Sequence, residues 1–264
     1  MYTFLLTLCL LVNPVTVDHP VQATVGTSPQ KRLFIYLNEA QAAKPKDYAF
    51  YADIQSAAVD IRFVLRATPE RLEALQREIA PVFEFSATPT PPSPEVGYQL
   101  VEGEVVVTQG PGLPSVEDVF TWAVAPLLTE NRLFFQLGSD YAVLQPTKNA
   151  CGVVATEMLL QRSGYPVDQD TLYDLLDFQD KPISLSTIHE AVQSLGVQAN
   201  GYRGSLANLK GKEPAMLHVD HSHYVVLSKV LEKGVIVLDP AVGRAFWTHR
   251  QLEQRWHGIF FLIE

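Results

Sequence analysis

Past residue 150 the chain changes rhythm midway, and that change limits the available folds more than any other feature. Three segments with helical spacing come first: Gly152 to Arg162, closed by Gly164 and Pro166; Asp170 to Asp177; and Ser186 to Leu195, closed by Gly196. Six short strands then follow: Gln198–Tyr202, Ala215–Val219, Tyr224–Val230, Val235–Leu238, Ala245–Trp247 and Ile259–Ile263. Helices grouped ahead of strands predict an α+β unit, a helical subdomain set against an antiparallel sheet. The seam between two such layers is a common place for a cleft and an active site.

The region before it is a smaller α+β unit. Arg32–Leu37 and Val59–Leu65 are rich in branched and aromatic residues and read as strands. Thr68 to Ile79 reads as a helix, with Thr68 as N-cap, Pro69 at the first helical position, and Leu72, Leu75 and Ile79 along one face. A proline-dense link, Thr88 to Pro94, cannot hold regular structure. Beyond it lie a short strand at Val105–Thr108, a helix from Val116 to Leu128 capped by Ser115, and a strand at Arg132–Leu137. No motif here carries chemistry, so the expected roles are packing support, a prosegment, or substrate docking.

The first twelve residues form an apolar run that is too short to span a bilayer, which takes about 20 residues. Val21-Gln22-Ala23 follows with residues a signal peptidase reads, so 1–23 is expected to be an export signal, although its start lacks Lys and Arg. The expected organisation is therefore 1–23 signal peptide, 24–140 accessory α+β region and 141–264 main domain, in a secreted, periplasmic or cell-envelope protein. Net charge is −9, which argues against nucleic acid or an anionic membrane as partner. No later stretch is apolar enough to suggest an integral membrane span, and the oligomeric state is not legible.

Removal of 1–23 takes Cys9 with it and leaves one cysteine, Cys151, within Gln145-Pro-Thr-Lys-Asn-Ala-Cys-Gly152. A lone thiol in an exported protein is buried and inert, pairs with another chain, or reacts. Its place at a helix N-terminus favours the thiolate, because the helix dipole and free N–H groups stabilise negative charge. A cysteine nucleophile needs a base, a group that orients the base, and donors for the developing oxyanion. His223 begins an apolar strand. If Leu231 to Gly234 makes the hairpin turn, Asp239 falls within a residue or two of the position opposite His223, and Pro240 stops the strand there. Gln145 lies upstream, where its amide is able to point back at the sulfur.

This constellation resembles the bacteriocin-processing, double-glycine-leader peptidase family, whose domain is a papain-like cysteine peptidase. The likeness runs from Leu144 to the C-terminus. It is carried by Gln145, Cys151-Gly152, Ser163-Gly164, Ile183-Ser-Leu-Ser186, Leu195-Gly-Val197, Pro214-Ala-Met-Leu-His218, His223-Tyr-Val-Val-Leu227, Asp239-Pro-Ala241 with Gly243, and Arg255-Trp-His-Gly258. It implies a papain-like cysteine peptidase fold, a peptide or protein substrate and no cofactor. It also implies Cys151 as nucleophile, His223 as base, Asp239 as orienting acid and Gln145 as oxyanion donor. Ala150 departs from the family, which commonly has Asp immediately before the cysteine. Many members are the front end of an exporter. The expectation here is an exported peptidase without transporter domains.

Three other readings stand beside it. His218, Asp220, His221 and His223 are dense enough to suggest a zinc site. The same thiol suits an amidase or acyl transferase acting on cell-envelope peptides. A papain-like domain that has lost activity serves as a binding or maturation module. His189, His249 and His257 read as solvated or capping residues.

Overall fold

Alternating branched and aromatic residues make Lys31–Leu37 (β1) and Val59–Leu65 (β2) parallel neighbours, with Leu33, Ile35, Ile61 and Phe63 on one buried face. The computed structural model describes residues 31–56, 58–73, 85–87, 93–128, 135–138 and 142–264. The expected export signal, with Cys9 and His19, lies outside the described residues. So do 74–79 of the expected helix after Thr68, 88–92 of the proline link, and 132–134 of the expected strand at Arg132–Leu137.

Phe85–Ala87 (β3), Tyr98–Glu102 (β4) and Val105–Gly110 (β5) complete a five-stranded sheet in the order β3-β2-β1-β4-β5. Glu39–Ala42 (α1) and Pro45–Ile54 (α2) connect β1 to β2, and Val116–Ala123 (α3) follows β5. α3 ends five residues short of the expected Leu128 and passes into a 3-10 turn over Ala125–Leu127, where Pro126 removes a backbone donor. Thr68 accepts from the Arg71 N–H at 3.3 Å, as an N-cap should, and Leu72 packs on the core below.

The second half matches the expected order of helices before strands. Cys151–Ser163 (α4), Gln169–Leu175 (α5) and Leu185–Ser194 (α6) precede a seven-stranded, wholly antiparallel sheet. Its strands are Phe135–Gly138 (β6), Ala199–Arg203 (β7), Ala215–Val219 (β8), His223–Val230 (β9), Gly234–Asp239 (β10), Gly243–Thr248 (β11) and Trp256–Ile263 (β12), in the order β6-β11-β10-β9-β8-β12-β7. β6 therefore pairs with β11 of this sheet, although the sequence places it before the expected boundary at 140. Leu206–Leu209 (α7) and His249–Arg255 (α8) are short helices that cover the far face of this sheet.

α4 is the axis of this half. Eleven of its thirteen residues are buried, so no apolar stripe marks one side. It stops where Gly164 turns left-handed (φ 88°) and the N–H of Tyr165 reaches back to Leu160 O at 2.9 Å. Val153, Val154, Met158 and Leu160 pack against Met216, Tyr224, Val226 and Leu238 of the sheet. Burying each large apolar side chain contributes about 1.5–3 kcal/mol.

The two halves share a core. α2, which the sequence reading left unassigned, is buried from Tyr48 to Ile54 between β1–β2 and the second sheet. Leu231, Ile236 and Phe246 of the second sheet join the same apolar cluster. Asp53 is fully buried and accepts from Arg162 at 2.7 and 3.2 Å and from the Ser228 hydroxyl at 2.6 Å. Arg244, also buried, donates to the carbonyls of Ala52, Asp53 and Gln55 at the end of α2, where helical partners run out. No helix among the described residues is long and apolar enough to cross a membrane.

Candidate active site

Cys151 is the first residue of α4 and is 6% exposed. The N-cap, Ala150, offers no side-chain acceptor, so the free N–H groups of the first turn face the sulfur region unopposed. The segment before it, residues 145–150, is anchored at its start and closes a turn at its end. The Gln145 N–H donates to Pro240 O at 2.8 Å, and the Ala150 N–H donates to Thr147 O at 3.2 Å.

His223 starts β9 because the β8–β9 hairpin turns tightly through Asp220, His221 and Ser222, pairing Val219 with His223. Asp220 and His221 both adopt positive φ, 51° and 61°, a conformation that costs roughly 1–2 kcal/mol per residue and is least unfavourable for Asp and Asn. Arg255 holds the turn: it donates to the Asp220 carboxylate at 2.8 Å, and its carbonyl accepts the Asp220 N–H at 2.9 Å. On the other side, the β9–β10 turn closes where expected, with the Leu231 N–H on Gly234 O at 2.8 Å. Leu238 stands opposite Val226, which brings Asp239 beside Val225, two residues along from His223 on the same side of the sheet.

That offset is short enough for direct contact. His223 Nε2 lies 2.7 Å from Asp239 Oδ1, and since a carboxylate accepts, the ring donates. The same oxygen accepts the Ala241 N–H at 2.9 Å, and Asp239 is 4% exposed, so the carboxylate is pinned by the turn that Pro240 initiates. The Cys151 Sγ–H points to Ser222 O at 4.0 Å, and the imidazole and the Tyr224 and Gly152 N–H groups are near enough to act on the sulfur.

The electrostatics follow from this geometry. Burial pushes the Cys151 thiol up, but the hydrogen bond from His223, the Tyr224 N–H and the imidazolium charge outweigh it, and the net shift is downward. Burial also disfavours the charged form of His223. The hydrogen bonds to Asp239 and Cys151 and their negative charges reverse that and raise it to about 9. The two shifts are opposite in direction, thiol down and imidazole up, and each favours the charged form of its own group.

The Gln145 side chain turns inward, toward the chain that leads to Cys151. Its Nε2 donates to Lys148 O at 3.3 Å, and its Oε1 is buried with no hydrogen-bond partner. The remaining histidines have separate engagements. His218 lies against the Tyr224 ring at 5.0 Å, His221 stacks on His257 at 4.4 Å, and Asp220 is held by Arg255. Among the described residues no group of three or more His, Cys, Asp or Glu side chains could hold a metal ion. His249 is neither solvated nor a helix cap. It is half-buried and its Nε2 contacts the carbonyls of Leu231 and Gly234 at 3.0 and 3.2 Å, bracing the turn that sets the β9–β10 pairing.

Sequence reasoning missed a second support. Thr147 Oγ1 donates to Asp180 Oδ1 at 2.7 Å, and Asn149 Nδ2 donates to the Asp180 carbonyl at 2.7 Å. Nothing local signals contacts between residues 31 and 33 positions apart.

A buried thiol at a helix N-terminus, an imidazole on a facing strand and a fixed carboxylate behind it, between helices and an antiparallel sheet, define a cysteine peptidase-like domain. Residues 139–264 match the model of the Peptidase C39 family, and this part of the chain is a Peptidase C39 domain. Among curated proteins the chain is 31% identical over 133 residues to the probable functional amyloid protease FapD of Pseudomonas aeruginosa, a match covering 46% of this chain and 59% of that one. It is 26% identical over 119 residues to the colicin V secretion/processing ATP-binding protein CvaB of Escherichia coli, covering 44% of this chain and 17% of that protein. Among solved structures it is similar to a double glycine motif protease from an AMS/PCAT transporter in complex with the leader peptide. The TM-score is 0.44 at 22% identity, over 46% of this chain and 89% of that one.

Proposed function

We propose that the domain hydrolyses peptide bonds, with Cys151 as nucleophile, His223 as acid and base, Asp239 as the group that orients the imidazole, and Gln145 as an oxyanion donor. The observation that carries this reading is the 2.7 Å contact from Asp239 to one ring nitrogen of His223, with Cys151 close enough for thiol and imidazole to shift each other. The thiolate attacks the peptide carbonyl carbon, and the carbonyl electron pair moves onto oxygen. The backbone N–H of Cys151 and the Gln145 amide, once swung out from Lys148, stabilise that oxyanion. As the carbonyl re-forms, the C–N bond breaks and His223 protonates the leaving amine, which gives a thioester. Water then attacks with its proton passing to His223, and the acid leaves as the thiolate is restored.

The proposal extends to an exported enzyme acting on a peptide or protein substrate outside the cytoplasm, supported by the apolar start of the chain and by Val21-Gln-Ala23. The test is alkylation of the thiol by iodoacetamide as a function of pH, alongside cleavage of a peptide library. Wild type should react well below the ordinary thiol pKa of about 8.5, and His223→Ala should lose that low-pH reactivity together with cleavage. A His223→Ala protein that alkylates like wild type refutes the reading.

A further inference from the structure

We propose that Asp180 is a positioning residue for the oxyanion side of the site, an inference that rests on the peptidase reading above. The helix that carries the nucleophile begins with no side-chain cap, because Ala150 has none to give. The segment leading into it is instead gripped from outside. The connection between α5 and α6 places Asp180 in the left-handed region, φ 54°, and both its carboxylate and its carbonyl face that segment. The carboxylate accepts from Thr147 at 2.7 Å and more distantly from Asn149 at 3.4 Å, while the carbonyl accepts from Asn149 at 2.7 Å.

The same connection touches the site twice more. Ile183 O accepts from the Tyr224 hydroxyl at 3.2 Å, and the Ile183 side chain stands 3.5 Å from where a Cβ on Gly152 would be. Tyr224 and Gly152 are the neighbours of His223 and Cys151. The Asp180 contacts, however, fall on residues 147 and 149, between Gln145 and Cys151. Oxyanion stabilisation needs two donors, a side-chain amide and a backbone N–H, aimed at one oxygen from about 2.7–3.1 Å. Gln145 and the Cys151 N–H lie at the two ends of the gripped segment, so the grip sets their separation. The thiol–imidazole pair has its own supports in Asp239, Ala241 and the Tyr224 N–H, none of which passes through Asp180.

The two halves of the site are therefore separable by probe. Iodoacetamide needs a thiolate and builds no oxyanion. A peptide aldehyde forms a hemithioacetal whose oxygen occupies the oxyanion position. Thr147→Val removes the hydroxyl at nearly constant shape. Asp180→Gly removes the carboxylate while keeping the left-handed backbone accessible, and Asp180→Asn retains an acceptor oxygen and tolerates that backbone. Alkylation rates and their pH profile should stay within about twofold of wild type in all three. Thr147→Val and Asp180→Gly should weaken aldehyde binding about tenfold or more and lower kcat about 10- to 100-fold with KM nearly unchanged; Asp180→Asn should restore most of both. Unchanged aldehyde affinity in Thr147→Val and Asp180→Gly overturns the inference, and so does alkylation that falls in parallel, which marks a general structural role. Thr147→Val keeps the test alive if Asp180→Gly does not fold. A wild-type protein that fails to bind the aldehyde sinks the peptidase reading and this inference together.

Discussion

Replacing Asp53 by Ala should be the most destabilising single truncation of a charged side chain outside the site. Asp53 has no exposed surface and receives two hydrogen bonds from Arg162, itself 2% exposed, and one from Ser228. Its removal takes a carboxylate partner from a guanidinium that is itself buried. Breaking a buried pair from one side costs about 3–5 kcal/mol, because the surviving charge keeps its desolvation penalty and loses its counter-charge. For a chain of this size each kcal/mol lowers Tm by about 2–4 °C, so a drop of about 6–20 °C is expected. The comparison is Asp60→Ala, which breaks an ion pair with the half-exposed Arg62 and should cost less than about 1 kcal/mol. The assay is urea denaturation followed by tryptophan fluorescence, with thermal melts in parallel. Asp53→Leu combined with Arg162→Met, which removes both charges and leaves apolar volume, should recover much of the loss. If Asp53→Ala lies within about 1 kcal/mol of wild type, or if the double variant is no more stable than the single one, the argument that this pair locks α2 to α4 is wrong.

The pH dependence has two limbs. Activity should rise with pH as the depressed Cys151 thiol ionises and fall near pH 9 as His223, raised to about 9, loses the proton it gives the leaving amine. In stability terms the His223 pairing contributes fully below its ordinary value of 6.5 and is lost as pH rises through about 9, which pH-dependent melts of Cys151→Ser against His223→Ala will reveal. Asp239→Asn removes the largest influence raising His223, so the alkaline limb should move down and kcat should fall by a factor of 100 or more in order of magnitude, with the variant still folded by circular dichroism. Gly234→Ala should be severely destabilising, because its Cβ would sit 2.2 Å from the Trp247 carbonyl oxygen, whereas Gly152→Ala meets its neighbours at 3.5 Å or more and should melt within about 1 kcal/mol of wild type. His249→Ala should cost about 1 kcal/mol through the lost turn contacts while leaving the alkylation rate of Cys151 unchanged.

What the sequence made legible was what local signals encode. α4 was readable from Gly164 and Pro166 behind it, and the approach of His223 to Asp239 was readable because antiparallel pairing turns residue counting into distance. α2 was not readable. Tyr48, Phe50 and Tyr51 are buried on different sides, so the helix has no stripe to detect, and its partners Arg162 and Arg244 lie more than a hundred residues away. The placement of β6 was missed for a related reason, since Phe135–Gly138 looks like any short strand and its choice of β11 as neighbour depends on tertiary packing. The inward orientation of Gln145 depends on the Lys148 carbonyl, which no spacing rule foresees.

The ends of α4 serve different masters. The sulfur sits at the first residue, and about 16 Å along the axis, at Arg162, the helix is moored to the upstream unit. Cutting the chain at residue 139 to study the downstream part alone would bare Leu231, Ile236 and Phe246 and take the Asp53 carboxylate from Arg162 and the α2 carbonyls from Arg244. The downstream part thus borrows some of its interior from the upstream unit.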